Sequence, residues 1–119
     1  MLKFSELNNL LISNVIEMKA SYDEICKGGD CSPHWLYDYH FVPYVIEQLE
    51  KGNERKLKKA FEVIEYIYAH GNRSCTYVAT VSFAEHLCGM AYKKYREKII
   101  SLCGSKSKKV FTTILDEYP

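Results

Sequence analysis

The chain is short of breakers. Its 119 residues include only 6 Gly and 3 Pro, too few for the many turns of an all-β sandwich, and the scarcity favours long helices. Long apolar runs are also missing, and no stretch approaches the ~18 residues of a membrane span. Near the start, Glu6, Asn8 and Asn9 interrupt any apolar core of a secretory signal. A large excess of one charge is absent. Sixteen Lys and Arg stand against fifteen Asp and Glu, a net of +1, which argues against a direct nucleic-acid binder. Cysteine occurs in the wrong number for a disulfide framework. Cys26, Cys31, Cys75, Cys88 and Cys103 are odd in count and irregular in spacing; without an export signal they read as reduced thiols, and the expected location is cytoplasmic. There is no P-loop, dinucleotide fingerprint, HExxH or G-x-S-x-G.

What remains is ordinary globular material. With 47% hydrophobic and 26% charged residues, the chain suits one domain over residues 1–119. Roughly two-thirds of the unfolded surface can be buried at this length, so neither metal nor disulfide is required. Apolar residues at steps of three and four run from Ser5 to Lys27: Leu7, Leu10, Leu11, Val15, Met18, Tyr22 and Ile25. They predict a first helix capped by Ser5 and stopped by Gly28-Gly29. Asp30 to Val42 breaks the pattern and reads as a connector. Pro43 suits the first turn of a short helix ending at Gly52. Asn53 caps the next, whose stripe is Leu57, Ala60, Phe61, Ile64, Ile67 and Tyr68. Ser74 caps a fourth segment that turns Tyr77, Val78, Val81, Ala84, Leu87 and Cys88 inward, although Tyr77 to Phe83 also reads as a strand. A fifth covers Ala91 to Cys103, and Ser107 caps a last helix with Val110, Phe111, Ile114 and Leu115. The sum is an all-α fold: five or six amphipathic helices packed as antiparallel pairs, in a bundle or a small HEAT-like superhelix.

Charge is uneven along the chain. Residues 1–50 hold three Lys and eight acids, and residues 51–119 hold thirteen bases and seven acids. The acids cluster near the aromatic run Trp35, Tyr37, Tyr39, Phe41 and Tyr44. Aromatic rings anchor interfaces at little rotamer cost, and opposite potentials speed encounter. This predicts a docking surface for a basic partner built from Asp30, Trp35, Tyr37, Asp38, Tyr39, Tyr44, Glu47 and Glu50. The bases of the second half, interleaved with Tyr92 and Tyr95, suggest a phosphate backbone instead, but no nucleic-acid motif supports it.

Chemistry-bearing residues are few. Cys26, Cys31, His34 and His40 are zinc-ligand types, but C-x4-C-x2-H-x5-H lacks the tight paired knuckles of structural sites. Cys31 with His34 and Asp38, or Cys88 with His86 and Glu85, supplies the parts of a thiol nucleophile. His86 and Cys88 diverge on a helix, however, and Cys88 lies on the apolar stripe. The expectation is a protein that is not an enzyme and takes no cofactor.

The run Trp35 to Val45, the helix with Phe61, Ile64 and Glu65, the segment Val81-Ser82-Phe83-Ala84-Glu85-His86-Leu87, and Gly104-Ser105-Lys106-Ser107-Lys108 before a last helix resemble a family of short bacterial helical proteins associated with polymorphic toxins. Some members are similar to immunity proteins of contact-dependent growth inhibition. The resemblance covers about residues 35–118 and leaves the first helix outside; Gly-Ser-Lys stands where Gly-Pro-Lys is expected. It implies a helical, cytosolic, non-enzymatic protein that binds a cognate toxin, with Asp30, Asp38, Glu47 and Glu50 facing a basic cleft. A helical adaptor that takes a peptide in a concave groove is the alternative.

Overall fold

Why the chain folds as it does is clearest at Asn53, whose side chain accepts a hydrogen bond from Lys56 N at 3.2 Å and starts a helix that runs cleanly to His70. The computed structural model describes residues 1–27 and 31–119. A 3-10 turn, Phe4–Glu6, leads into α1 (Leu7–Asn14) and α2 (Glu17–Cys26). α3 spans residues 33–51: Pro33–Leu36, a π-helical turn Tyr37–Phe41, then Val42–Lys51. α4 is Glu54–His70. α5 spans residues 73–102, with Arg73–Tyr77, a π-helical stretch Val78–Glu85 and His86–Leu102 in line. α6 is Ser107–Leu115. The described residues form no strand; an isolated bridge joins Leu2 to Gly71.

Phe41, Phe61, Phe83 and Phe111, from α3, α4, α5 and α6, meet in one cluster with centroid separations of 4.8 to 6.3 Å. All four are buried, and each contributes about 2–3 kcal/mol. Rings converging from four helices make a closed bundle. Its Cα radius of gyration, 13.3 Å, equals the roughly 13–14 Å of a compact single domain of this length.

Several local expectations change. The first helix breaks at Val15 (φ −115, ψ 89). Asn14 turns its amide back onto Leu10 O at 2.8 Å, a side-chain bond that competes with helix continuation. The break brings both Val15 and Met18 into the core. Glu6, rather than Ser5, caps the start by accepting from Lys3 N at 2.8 Å. The Gly28-Gly29 stop lies outside the described residues. The connector before Val42 is helical from Pro33 onward, with Pro33 in the first turn. Pro43 lies inside α3. In a regular helix its ring would strike the carbonyl four residues back, at a cost of ~3 kcal/mol. The π turn just before it relieves this: Val42 N–H donates to Tyr37 O, five residues back. The proposed strand at Tyr77 to Phe83 is helical, π-helical from Val78 onward, and the fourth and fifth segments are one helix, kinked at Tyr95 (φ −121, ψ 15). Asn72 replaces Ser74 as its cap, accepting from Cys75 N at 3.0 Å.

Cysteine usage also differs from expectation. Cys26 and Cys31 form a disulfide that ties the end of α2 to the start of α3. Cys75, Cys88 and Cys103 are free. The first two residues of the zinc pattern are therefore joined to each other.

Candidate docking surface

α3 and α5 are not consecutive, yet they run side by side in the same direction. Two polar pairs, both 48 residues apart in sequence, fix this alignment. His34 Nδ1 lies 2.6 Å from Ser82 Oγ. His86 Nδ1–H donates to the Asp38 carboxylate and is 3.2 Å from the Asp38 carbonyl. Asp38 and His86 are each about one-third exposed, at 34% and 32% of their side chains, so the pair lies partly open to solvent between the two helices.

Each helix presents an outer row at four-residue spacing. On α3 the row is Trp35, Tyr39, Pro43 and Glu47; on α5 it is Tyr77, Val81, Glu85 and Gly89, and all eight are exposed. Around α3 the order is core row, polar pair, outer row. Around α5 the order is reversed, so both outer rows lie on the same side of the helix pair. Trp35 at 37%, Tyr39 at 61%, Tyr77 at 57% and Val81 at 36% exposure are the large apolar side chains on that side. Large apolar side chains exposed on one side of a helix pair are candidates for an interaction site.

Of the expected docking residues, five stand on or beside this face. Trp35, Tyr39 and Glu47 belong to the outer row, Asp38 to the polar pair with His86, and Glu50 is exposed one turn beyond Glu47. Tyr37 does not belong. It is fully buried, donates its hydroxyl to Leu7 O at 2.7 Å and sits edge-on to Phe41. Burial pushes its ionisation far above the ordinary tyrosine value. Two positions after an exposed Trp35, a helical side chain turns into the core, which an irregular connector does not require. Tyr44 lies off the face and donates to Glu17 Oε1 at 3.2 Å. Burial, then the Glu17 carboxylate, raise its ionisation. Asp30 lies outside the described residues.

The carboxylates are less free than the sequence suggests. Asp38 is held by His86, and Glu47 pairs with Lys51 at 3.1 Å. The acidic and basic halves of the chain also pair with each other. Glu17 meets Lys56 at 3.2 Å. Burial works to raise Glu17, but hydrogen bonds from its own amide, Lys56 and Tyr44 bring it below the usual carboxylate value.

The sequence missed Tyr77 and Val81, which it turned inward. A helical reading of residues 77–89 carries the signal for both, because 77, 81, 85 and 89 fall in one row that alternates with the buried 79, 83 and 87.

The remaining chemical candidates separate in space. His40 packs edge-on to Trp35 at 4.6 Å, while His34 bonds Ser82. Among the described residues no group of three or more His, Cys, Asp or Glu is arranged to hold a metal ion. Cys88 is buried, and burial pushes its thiol up to about 12, so it carries no thiolate near neutral pH. Cys31 is in the disulfide. No helix among the described residues is long and apolar enough to cross a membrane.

A family model described as a domain of unknown function, DUF7674, matches residues 8–118. The chain belongs to this family. The DUF7674 match takes in α1, which the resemblance read from the sequence left outside, and it includes both rows of the α3–α5 face. Phe4 lies ahead of it. No curated protein and no solved structure matches the chain.

Proposed function

We propose that this protein is a binding domain that neutralises a cognate bacterial toxin by covering its active site with the α3–α5 face, without performing chemistry. The observation that carries the docking part is the row pair itself. Four large apolar side chains stand exposed on two helices locked in register by His34–Ser82 and Asp38–His86. A folded domain exposes such a surface at a cost, and a partner that covers it recovers that cost. The toxin as partner is supported by the resemblance of residues 35–118 to immunity proteins. Glu47, Glu50 and Glu85 supply the acidic rim, suited to the basic substrate cleft of a nuclease.

Tyr37 and Tyr44 have no place in this interface, and Tyr77 and Val81 replace them. In this role Trp35 and Tyr39 set the lifetime of the complex, and the rim acids set its association rate.

The test is neutralisation. The chain is co-expressed with the toxin domain encoded directly upstream of its gene, and growth is recorded. Protection is expected from the parent chain. A Trp35→Ala/Tyr39→Ala variant that keeps its helical circular dichroism is expected to lose it. Glu47→Lys with Glu50→Lys should slow association and flatten its salt dependence. Full protection by the folded aromatic variant rules out this face, and a neighbourhood without a toxin gene removes the immunity reading.

A further inference from the structure

One end of the docking face opens into a cleft that the sequence did not suggest. Phe4, His34, Arg73, Ser74 and Tyr77 line a space of about 450 Å3, within the range of pockets that hold a compact ligand group. Three of its walls are rings. Phe4 and His34 have centroids 5.8 Å apart, and His34 meets Tyr77 edge-on at 5.6 Å. Phe4 at 36% and Tyr77 at 57% exposure leave their rings open to solvent. His34 is fixed from beneath through Ser82, so its ring is held in place before any ligand arrives. The fourth wall carries the guanidinium of Arg73. It is exposed and forms no ion pair with any described residue.

We infer that this cleft is a subsite for an acidic-aromatic segment of the partner protein, with the partner's ring seated among Phe4, His34 and Tyr77 and an adjacent carboxylate on Arg73. The inference rests on the docking reading above and adds the chemistry of one contact. Ring walls favour an aromatic guest through edge-to-face packing. A free guanidinium favours a carboxylate and repels Lys or Arg. The opposite end of α3 has the opposite sign. Glu47 and Glu50 lie 13 and 16 residues beyond His34, about 20–24 Å along the helix. A partner that meets a cation at one end and carboxylates at the other can lie in one orientation only.

The experiment uses the full chain, isotopically labelled, and three probes. These are the blocked peptide Gly-Asp-Trp-Asp-Gly, its counterpart with both Asp replaced by Lys, and inorganic phosphate. The acidic peptide is expected to shift the amide resonances of Phe4, His34, Arg73 and Tyr77 and to bind at least about tenfold tighter than the basic one. Arg73→Glu should invert that preference, an outcome that loss of fold cannot mimic. Tyr77→Ala should weaken both peptides. Equal affinity for the two peptides, shifts confined to other surfaces, or complete competition by phosphate alone would overturn the inference. If the peptides fail while the chain still neutralises its toxin, the subsite falls and the docking reading stands. If neutralisation depends on neither Trp35 nor Tyr39, the docking reading falls by its own test.

Discussion

Glu65 holds the last helix in place, and its removal can be costed from the structure. Its carboxylate accepts the backbone amides of Lys106 and Ser107, each at 2.9 Å, at the start of α6. Those amides have no partner within the helix. Gly104 makes the approach possible, since a Cβ there would press into the Glu65 carboxyl group. Arg96 grips the other end of α6, donating twice to Leu115 O at 2.6 and 2.7 Å. Charge-assisted bonds are worth about 1.5–3 kcal/mol each when protected. Glu65 is only half-buried, and water re-solvates the freed amides, so Glu65→Ala should cost about 2 kcal/mol in all. An unfolding entropy of about 0.25 kcal/mol/K for a chain of this length makes that a fall of about 8 °C in Tm. The sign with pH is fixed. Burial works to raise Glu65, but the amides of Ser107 and Lys106 hold it below its ordinary value of 4.5. A carboxylate depressed in the folded state stabilises above the unfolded value and loses that contribution as pH falls through the folded one. Urea unfolding of the parent and Glu65→Ala should therefore differ at pH 7, and the gap should shrink as the pH falls below 4.5. A gap under ~0.5 kcal/mol at pH 7, or one undiminished at pH 3, would refute the clamp.

Two further outcomes follow from buried contacts. Tyr37→Phe removes the hydroxyl bonded to Leu7 O and should cost about 1 kcal/mol by urea denaturation, whereas Tyr39→Phe, exposed on the outer row, should cost nothing measurable. Equal effects would place both residues on the surface. The Cys26–Cys31 disulfide closes a short loop, with a sequence separation of 5; loop-closure entropy gives it about 2 kcal/mol. Cys31→Ser should lose that amount in oxidising buffer and become insensitive to dithiothreitol, while the parent falls to the same midpoint on reduction.

Helix content was legible because the apolar period and the Asn53 cap act locally. The stripe from Leu57 to Ile67 is read from the sequence and found buried without change. The failures occur where distant contacts decide. Ser107 looks like a simple cap, but its hydroxyl accepts from Gly104 N at 3.1 Å while Glu65, 42 residues away in sequence, takes its amide. No local rule finds that partner. Charge was misleading for a similar reason. The two halves look segregated along the chain, yet folding pairs Glu17 of the first with Lys56 of the second. Trp35 and Tyr39 of the aromatic run stand exposed, while Tyr37 is buried, because the run is helical and a reading of it as an irregular connector gives Tyr37 no face.

The missed signal in both cases is a period of four. Tyr37, Phe41, Val45 and Leu49 are all buried on α3, and Cys75, Ala79, Phe83, Leu87 and Ala91 are all buried on α5. In a regular α-helix each four-residue step overshoots a full turn by about 40°, so these rows would drift by about 120° and 160° and leave the core. A π turn inserts one extra residue, about 100° of rotation, and returns the row to its face. Both helices carry their π segment at the point where they touch, Tyr37–Phe41 on one and Val78–Glu85 on the other. The same correction straightens the outer rows. Trp35, Tyr39, Pro43 and Glu47 stay on one side of α3, and Tyr77, Val81, Glu85 and Gly89 stay on one side of α5. A strict four-residue repeat on neighbouring helices therefore specifies a buried row and an exposed one together, and the packing that holds the core also keeps the two ridges of the docking face parallel.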